Sequence, residues 1–177
     1  MFGTLPASID PIQLAERGAR LTGTLPLKNM PRLVQACLDS AGDVHVDLSF
    51  DRSEGEGLYE MRGDLSVKLR LVCQRCLEEM DFKLETSPRL IFMRPGDNPV
   101  LLEDEADVMA VDKPLPLISM VEDELLLAMP MVPLHDLKEC PGKVYVAGTA
   151  SPAKGSAKAE KVKKNPFSVL GELKRTK

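Results

Sequence analysis

The chain has 177 residues, a formal net charge of −4, 44 % hydrophobic and 4 % aromatic residues, no Trp and four cysteines; that is enough for one domain with a sizeable core and a tail, the core built from Leu, Val, Ile and Met. Four cysteines (Cys37, Cys73, Cys76 and Cys140) are too few for a disulfide-dense secreted domain. The opening M-F-G-T-L-P-A-S-I-D lacks the basic and apolar regions of a leader, and the longest apolar run, residues 125–134, is too short for a bilayer and holds two prolines, so the expectation is a cytoplasmic protein with reduced thiols and no membrane partner.

Asp10 followed by Pro11 reads as an N-cap and a first helical position, predicting a short helix through I-Q-L-A-E-R-G-A-R. Residues 20–27 alternate around Leu21, Gly23 and Leu25, a first strand. Pro31 opens a second helix with Leu33, Val34, Cys37 and Leu38 on one face, ended by Ala41-Gly42-Asp43. Within that stripe Cys37 reads as a small buried hydrophobe. Val44, Val46, Leu48 and Phe50 alternate with His45, Asp47 and Ser49, so residues 44–50 form a strand with His45 on its wet side. The turn D-R-S-E-G-E-G leads to a strand near Leu58, which passes through Gly63, an expected bulge, into residues 65–73. There Leu65, Val67, Leu69, Leu71 and Cys73 face inward, and Ser66, Lys68 and Arg70 face water. A further strand begins near Phe82, with Phe82 and Leu84 inward and Lys83 and Glu85 outward. The sum is a meander of about four antiparallel strands with a helix inserted after the first.

Arg94-Pro-Gly-Asp-Asn-Pro is turn chemistry. Residues 103–107, E-D-E-A-D, lack the turn glycine and ligand spacing of a calcium loop and read as a solvated acidic loop. Residues 117–129 predict an amphipathic helix with Leu117, Val121, Leu125 and Ala128 inward, Glu122 and Asp123 outward, and Glu124 near the apolar side. Pro130 and Pro133 stop it. The following L-H-D-L-K-E-C-P-G is irregular and must be held by packing or by a ligand. Residues 147–164 have linker composition, and residues 165–177 form a short amphipathic segment with Phe167, Val169, Leu170 and Leu173, which either docks back on the body or engages a partner. Residues 151–177 carry eight basic side chains against two acidic ones, whereas the other 150 residues carry fifteen against twenty-five. An acidic body with a basic tail suggests either a polyanionic partner met by Lys161, Lys163 and Lys164 or a solvated tail.

The chemistry-bearing feature is Cys73-Gln-Arg-Cys76 at the tip of the hairpin. A C-x-x-C knuckle supplies two soft ligands to zinc at the right bite, and His135 with Cys140 would supply two more and clamp the irregular segment onto the tip. The knuckle lacks the Pro and Gly common in zinc ribbons, and the gap from Cys76 to Cys140 is not a finger spacing. Metal-free cysteines that pack the tip are the alternative. A redox dithiol usually opens a helix after a strand, whereas here strand follows strand. Arg75 at the tip, with Lys68 and Arg70 on the strand's outer face, makes a small basic patch for phosphate contact. No Gly-rich phosphate loop, G-x-S-x-G or H-E-x-x-H is present, which argues against an enzyme and a small-molecule substrate.

Three blocks, C-Q-R-C-L-E-E, then S-M-V-E-D-E-L-L-L-A-M-P-M-V-P-L-H-D followed by a Cys, then N-P-F-S-V-L-G-E-L-K-R, together resemble the YceD family of bacterial large ribosomal RNA subunit accumulation proteins, which has plastid relatives. The resemblance implies a role in synthesis, processing or stability of 23S ribosomal RNA, with no established catalytic activity. It also supports treating Cys73, Cys76 and Cys140 as one unit; the metal is read from the residues. Gly171 stands where alanine is usual, a poorer helix former.

The expectation is an α+β domain over residues 1–146: an antiparallel meander with helices packed on one face, followed by a flexible linker, 147–164, and a basic C-terminal segment, 165–177. The expected partner is large-subunit ribosomal RNA or its precursor, contacted by Arg70, Arg75, Lys161, Lys163 and Lys164. The alternative is a protein adaptor that recruits an RNA-processing enzyme or ribosomal protein through Phe167 and its neighbours.

Overall fold

In the computed structural model, residues 5–53, 57–97 and 107–142 are described. The middle of the 51–57 turn, residues 103–106 of the acidic loop, the linker 147–164 and the segment 165–177 lie outside the described residues. The order is β1 (Ser8–Ile9), α1 (Pro11–Glu16), β2 (Arg20–Pro26), α2 (Pro31–Gln35), β3 (Asp43–Arg52), β4 (Tyr59–Val72), β5 (Glu79–Thr86), β6 (Arg89–Met93), β7 (Asp107–Ala110), β8 (Leu115–Pro116) and α3 (Leu117–Ala128). The class is α+β, as the sequence predicts.

The spine is β4. Its first half pairs with β3, from His45 opposite Ser66 to Arg52 opposite Tyr59, and β3 pairs with β2. On the other edge of β4 lie β5 and then β6 in one register, since Leu65 faces Thr86 and Arg62 faces Arg89. They are one strand interrupted at Ser87-Pro88, because proline has no N–H to give the ladder. Two pairings escape the sequence reading. A short β7 runs parallel to β6, and β1 pairs with β8 to deliver the chain to α3.

Gly63 is not a bulge. It faces Leu48 in an unbroken ladder, and a Cβ there would lie 2.1 Å from Asp47 O and 2.8 Å from Leu48 Cα. Glycine is required by close backbone approach.

The alternation of β3 holds fully: Val44, Val46, Leu48 and Phe50 are buried, and His45 is exposed. They join Leu65, Val67, Leu69 and Leu71 of β4, Ile12 and Ala15 of α1, Leu33 of α2, and Leu117, Val121 and Leu125 of α3 in one apolar cluster. Each Val, Leu, Ile or Phe side chain among them contributes about 1.5–3 kcal/mol on burial. The N-cap of α1 is as predicted, with Asp10 accepting from Ile12 N at 3.1 Å and Gln13 N at 3.0 Å. The second helix stops earlier than predicted, at Gln35. Leu38 N donates to Arg70 O at 2.8 Å, so the chain leaves the helix to run beside β4. Leu38 is consequently exposed, and Cys37 is half-buried with its thiol on Leu33 O.

Glu122 corrects the helical-wheel reading of α3, being only 3 % exposed. It accepts from Arg32 N at 2.7 Å and Leu33 N at 3.1 Å, and from the Arg32 guanidinium. The N-terminus of α2 has no cap of its own, so its free N–H groups take their acceptor from a helix 90 residues away. Glu60 is the other buried carboxylate, held between Arg62 and Arg89. Burial pushes its carboxyl up, but the two guanidiniums outweigh this and hold it below the ordinary 4.5. Its contribution is therefore present above pH 4.5 and lost as pH falls through the depressed folded value. Urea titrations from about pH 6 downward should show Glu60→Gln destabilised by about 1–3 kcal/mol at the upper end, with the gap to the native chain closing as the medium is acidified.

Among the described residues no helix is long and apolar enough to cross a membrane.

Candidate metal centre

The β4–β5 connection is a tight knuckle. Leu77 N donates to Cys73 O at 2.8 Å, and Cys73 N donates to Glu78 O at 2.9 Å. Closing this turn places Leu77 at φ 62°, the left-handed region that costs a residue with a Cβ roughly 1–2 kcal/mol. The missing knuckle glycine was the signal for this in the sequence.

The Pro-bounded segment lies against the knuckle. Gln74 N donates to Pro133 O at 2.9 Å, and His135 N donates to Cys73 Sγ at 3.4 Å. The turn at residues 137–139 then brings Cys140 inward, its N–H on Asp136 O at 3.0 Å. Gly142 closes against the knuckle, where a Cβ would sit 3.2 Å from Cys76 Cβ and 3.3 Å from Arg75 Cγ.

One potential ligand atom from each of Cys73, Cys76, His135 and Cys140 lies within 4.8 Å of the other three. Cys73 and Cys140 are buried and Cys76 half-buried, all three with free thiols. The His135 Nδ1 is 3.3 Å from Cys76 Sγ. Its Nε2 lies 3.2 Å from Glu79 O, a carbonyl that can only accept, so Nε2 is the donor of that contact and Nδ1 is the ring nitrogen that faces the sulfurs. Burial pushes the Cys73 thiol up, but the N–H groups of Cys76, His135 and Arg75 point at its sulfur and hold it at about 5, against an ordinary 9.0. Burial, with the Cys73 and Cys140 thiols, pushes Cys76 up against the opposing Glu78 N–H.

This donor set fits zinc. Three sulfurs and an imidazole are soft and borderline ligands, and a tetrahedron with Zn–S of about 2.3 Å sets its sulfurs about 3.8 Å apart. With four protein donors the site is closed, the structural rather than the catalytic form.

The phosphate-contact residues fare differently. Arg70 is paired with Asp39 at 3.0 Å and with Glu79, which raise its pKa. Arg75 is half-buried instead of standing at an exposed tip, and its Nη1 is buried with no hydrogen-bond partner among the described residues. Lys161, Lys163, Lys164 and Phe167 lie outside the described residues.

Residues 61–174 match the family described as "Large ribosomal RNA subunit accumulation protein YceD". A protein of that name from Haemophilus influenzae is 32 % identical over 177 residues, covering 96 % of each chain. No solved structure matches. The match contains the knuckle, the helix that precedes the Pro-bounded segment, and Cys140. The chain belongs to the YceD family of large ribosomal RNA subunit accumulation proteins.

Proposed function

We propose that this protein is a non-enzymatic, cytoplasmic factor supporting the synthesis, processing or stability of 23S ribosomal RNA, and that one zinc ion clamps its Pro-bounded segment to the hairpin tip. The observation that carries the ribosomal reading is the likeness to the Haemophilus influenzae protein along nearly the whole of both chains. The zinc reading is supported by the convergence of Cys73, Cys76, His135 and Cys140. Zinc would be held by the three Sγ atoms and His135 Nδ1, and would supply cross-links where residues 129–142 have turns and no strand. In this reading the eight basic side chains of residues 151–177 make sequence-independent phosphate contacts. Deleting residues 151–177 should weaken binding to deproteinised 23S ribosomal RNA and flatten its salt dependence, by a slope of about 0.7–0.9 for every phosphate the tail had neutralised. Binding and slope unchanged by the deletion would refute the phosphate role of the tail.

A second reading is favoured by the pairing of Arg70 and the half-burial of Arg75, which take two of the three side chains of the expected basic patch out of free solvent. In it the protein is an adaptor, and the segment N-P-F-S-V-L engages an RNA-processing enzyme or ribosomal protein. A complex captured on the isolated segment and surviving nuclease favours the adaptor; one destroyed by nuclease favours RNA.

A further inference from the structure

We propose that the apolar surface around the metal centre docks a basic protein, with Leu77 as its anchor. This deepens the adaptor reading, and it rests on the folded Cys/His centre rather than on the C-terminal segment. Leu77 is 72 % exposed at the one positive-φ non-glycine position among the described residues. A glycine would take that backbone without strain, and a leucine this exposed buries little for the fold, so the side chain points to a use outside it. Its neighbourhood repeats the pattern. Met131 is fully exposed, Val132 and Leu137 are more than half exposed, and Leu134 is exposed by 41 %. Each lies within two residues of a group fixed to the tip, through Pro133 O on Gln74 N or His135 Nδ1 beside Cys76 Sγ. Apolar side chains carried on backbone already fixed lose little ordering entropy on binding.

The rim selects the partner. Glu78, Glu79, Asp136 and Glu139 are exposed around it, and the nearby cations among the described residues are Lys138, the already paired Arg70 and the half-buried Arg75. That rim repels phosphate and favours a basic protein surface. Among the described residues the patch also offers no aromatic ring, on which single-stranded bases stack. An apolar surface framed by basic side chains on another protein satisfies both.

The test uses the full-length zinc-loaded protein, Leu77→Gly and Met131→Ser. Each is titrated with nuclease-treated proteins stripped by salt from large ribosomal subunits and, separately, with deproteinised 23S ribosomal RNA. The expected result is binding of the stripped proteins by the native chain, weakened about tenfold by either substitution. Leu77→Gly should keep its zinc and unfold at the same or a higher temperature, which separates a missing anchor from a damaged fold. RNA binding unchanged by both substitutions is also expected. The proposal is overturned by absent protein binding, or by protein binding indifferent to both substitutions. It is equally overturned by RNA binding that falls in step with them, or by self-association that Leu77→Gly abolishes. Dependence of RNA binding on residues 151–177 tests the phosphate reading alone, so the two ideas fail separately.

Discussion

Cys140→Ser is expected to release residues 130–142 from the hairpin tip while leaving the six-stranded sheet folded. Cys140 is fully buried, and its ligand atom lies within 4.8 Å of those of Cys73, Cys76 and His135. Among the described residues the segment is otherwise held by its turns, the Gln74 N to Pro133 O bond, the His135 contacts and the packing of Gly142 on Cys76 and Arg75. A structural zinc is worth roughly 10–16 kcal/mol in peptides that fold around it, so losing one ligand should cost the local structure at least about 3 kcal/mol. Hydrogen exchange reads this directly. The amides of Gln74, His135 and Cys140 should lose protection, and those of β3 and β4 should keep theirs. A chelator on the native chain should reproduce the pattern. If the cysteines only pack, the chelator does nothing and Cys140→Ala, which keeps most of the apolar packing, costs about 1–2 kcal/mol at most. A reversible disulfide between Cys73 and Cys76 under mild oxidant, with no metal released, would instead return the redox dithiol.

The second large effect belongs to Gly63→Ala. Its new Cβ would meet backbone, Asp47 O at 2.1 Å and Leu48 Cα at 2.8 Å, and no rotamer change moves backbone aside. The strands β3 and β4 must separate, which disturbs the ladder from His45–Ser66 to Arg52–Tyr59 and the burial of Leu48 and Phe50. We expect stability to fall by about 3 kcal/mol or more, shown as a lower urea midpoint with an unchanged slope. The substitution should spare zinc content in whatever fraction remains folded, because Gly63 lies at the far end of β4 from Cys73. A Gly63→Ala chain as stable as the native one would mean that the two strands are not this close.

Local patterns carried the sequence reading where one physical rule dominates. Period-two alternation placed the buried faces of β3 and β4, and the Asp10-Pro11 pair placed α1. The convergence of the Cys/His set was legible because an irregular proline-bounded stretch needs something to hold it, and a C-x-x-C hairpin tip was the group able to do so. What escaped depends on partners distant in sequence. Glu122 looked like a surface carboxylate because nothing in α3 reveals that α2 lacks an acceptor for its N–H groups. The second helix looked longer than it is because the apolar spacing through Leu38 takes no account of Arg70 O, which draws that residue's N–H away. β7 is four residues in a parallel pairing, with exposed Val108 and Met109, and offers no alternation to read. At Gly63 the residue was flagged correctly but the reason was not, since a bulge and a close approach leave the same glycine in the sequence.

Everything proposed for the hairpin tip turns on whether the four side chains of Cys73, Cys76, His135 and Cys140 hold one metal ion together. Zinc-edge X-ray absorption on the purified full-length chain, with metal content measured on the same sample, asks this most directly. The expected result is about one zinc per chain, with three sulfurs at about 2.3 Å and one nitrogen at about 2.0–2.1 Å. A chain that purifies and folds without metal, or a zinc surrounded by oxygen, would contradict it.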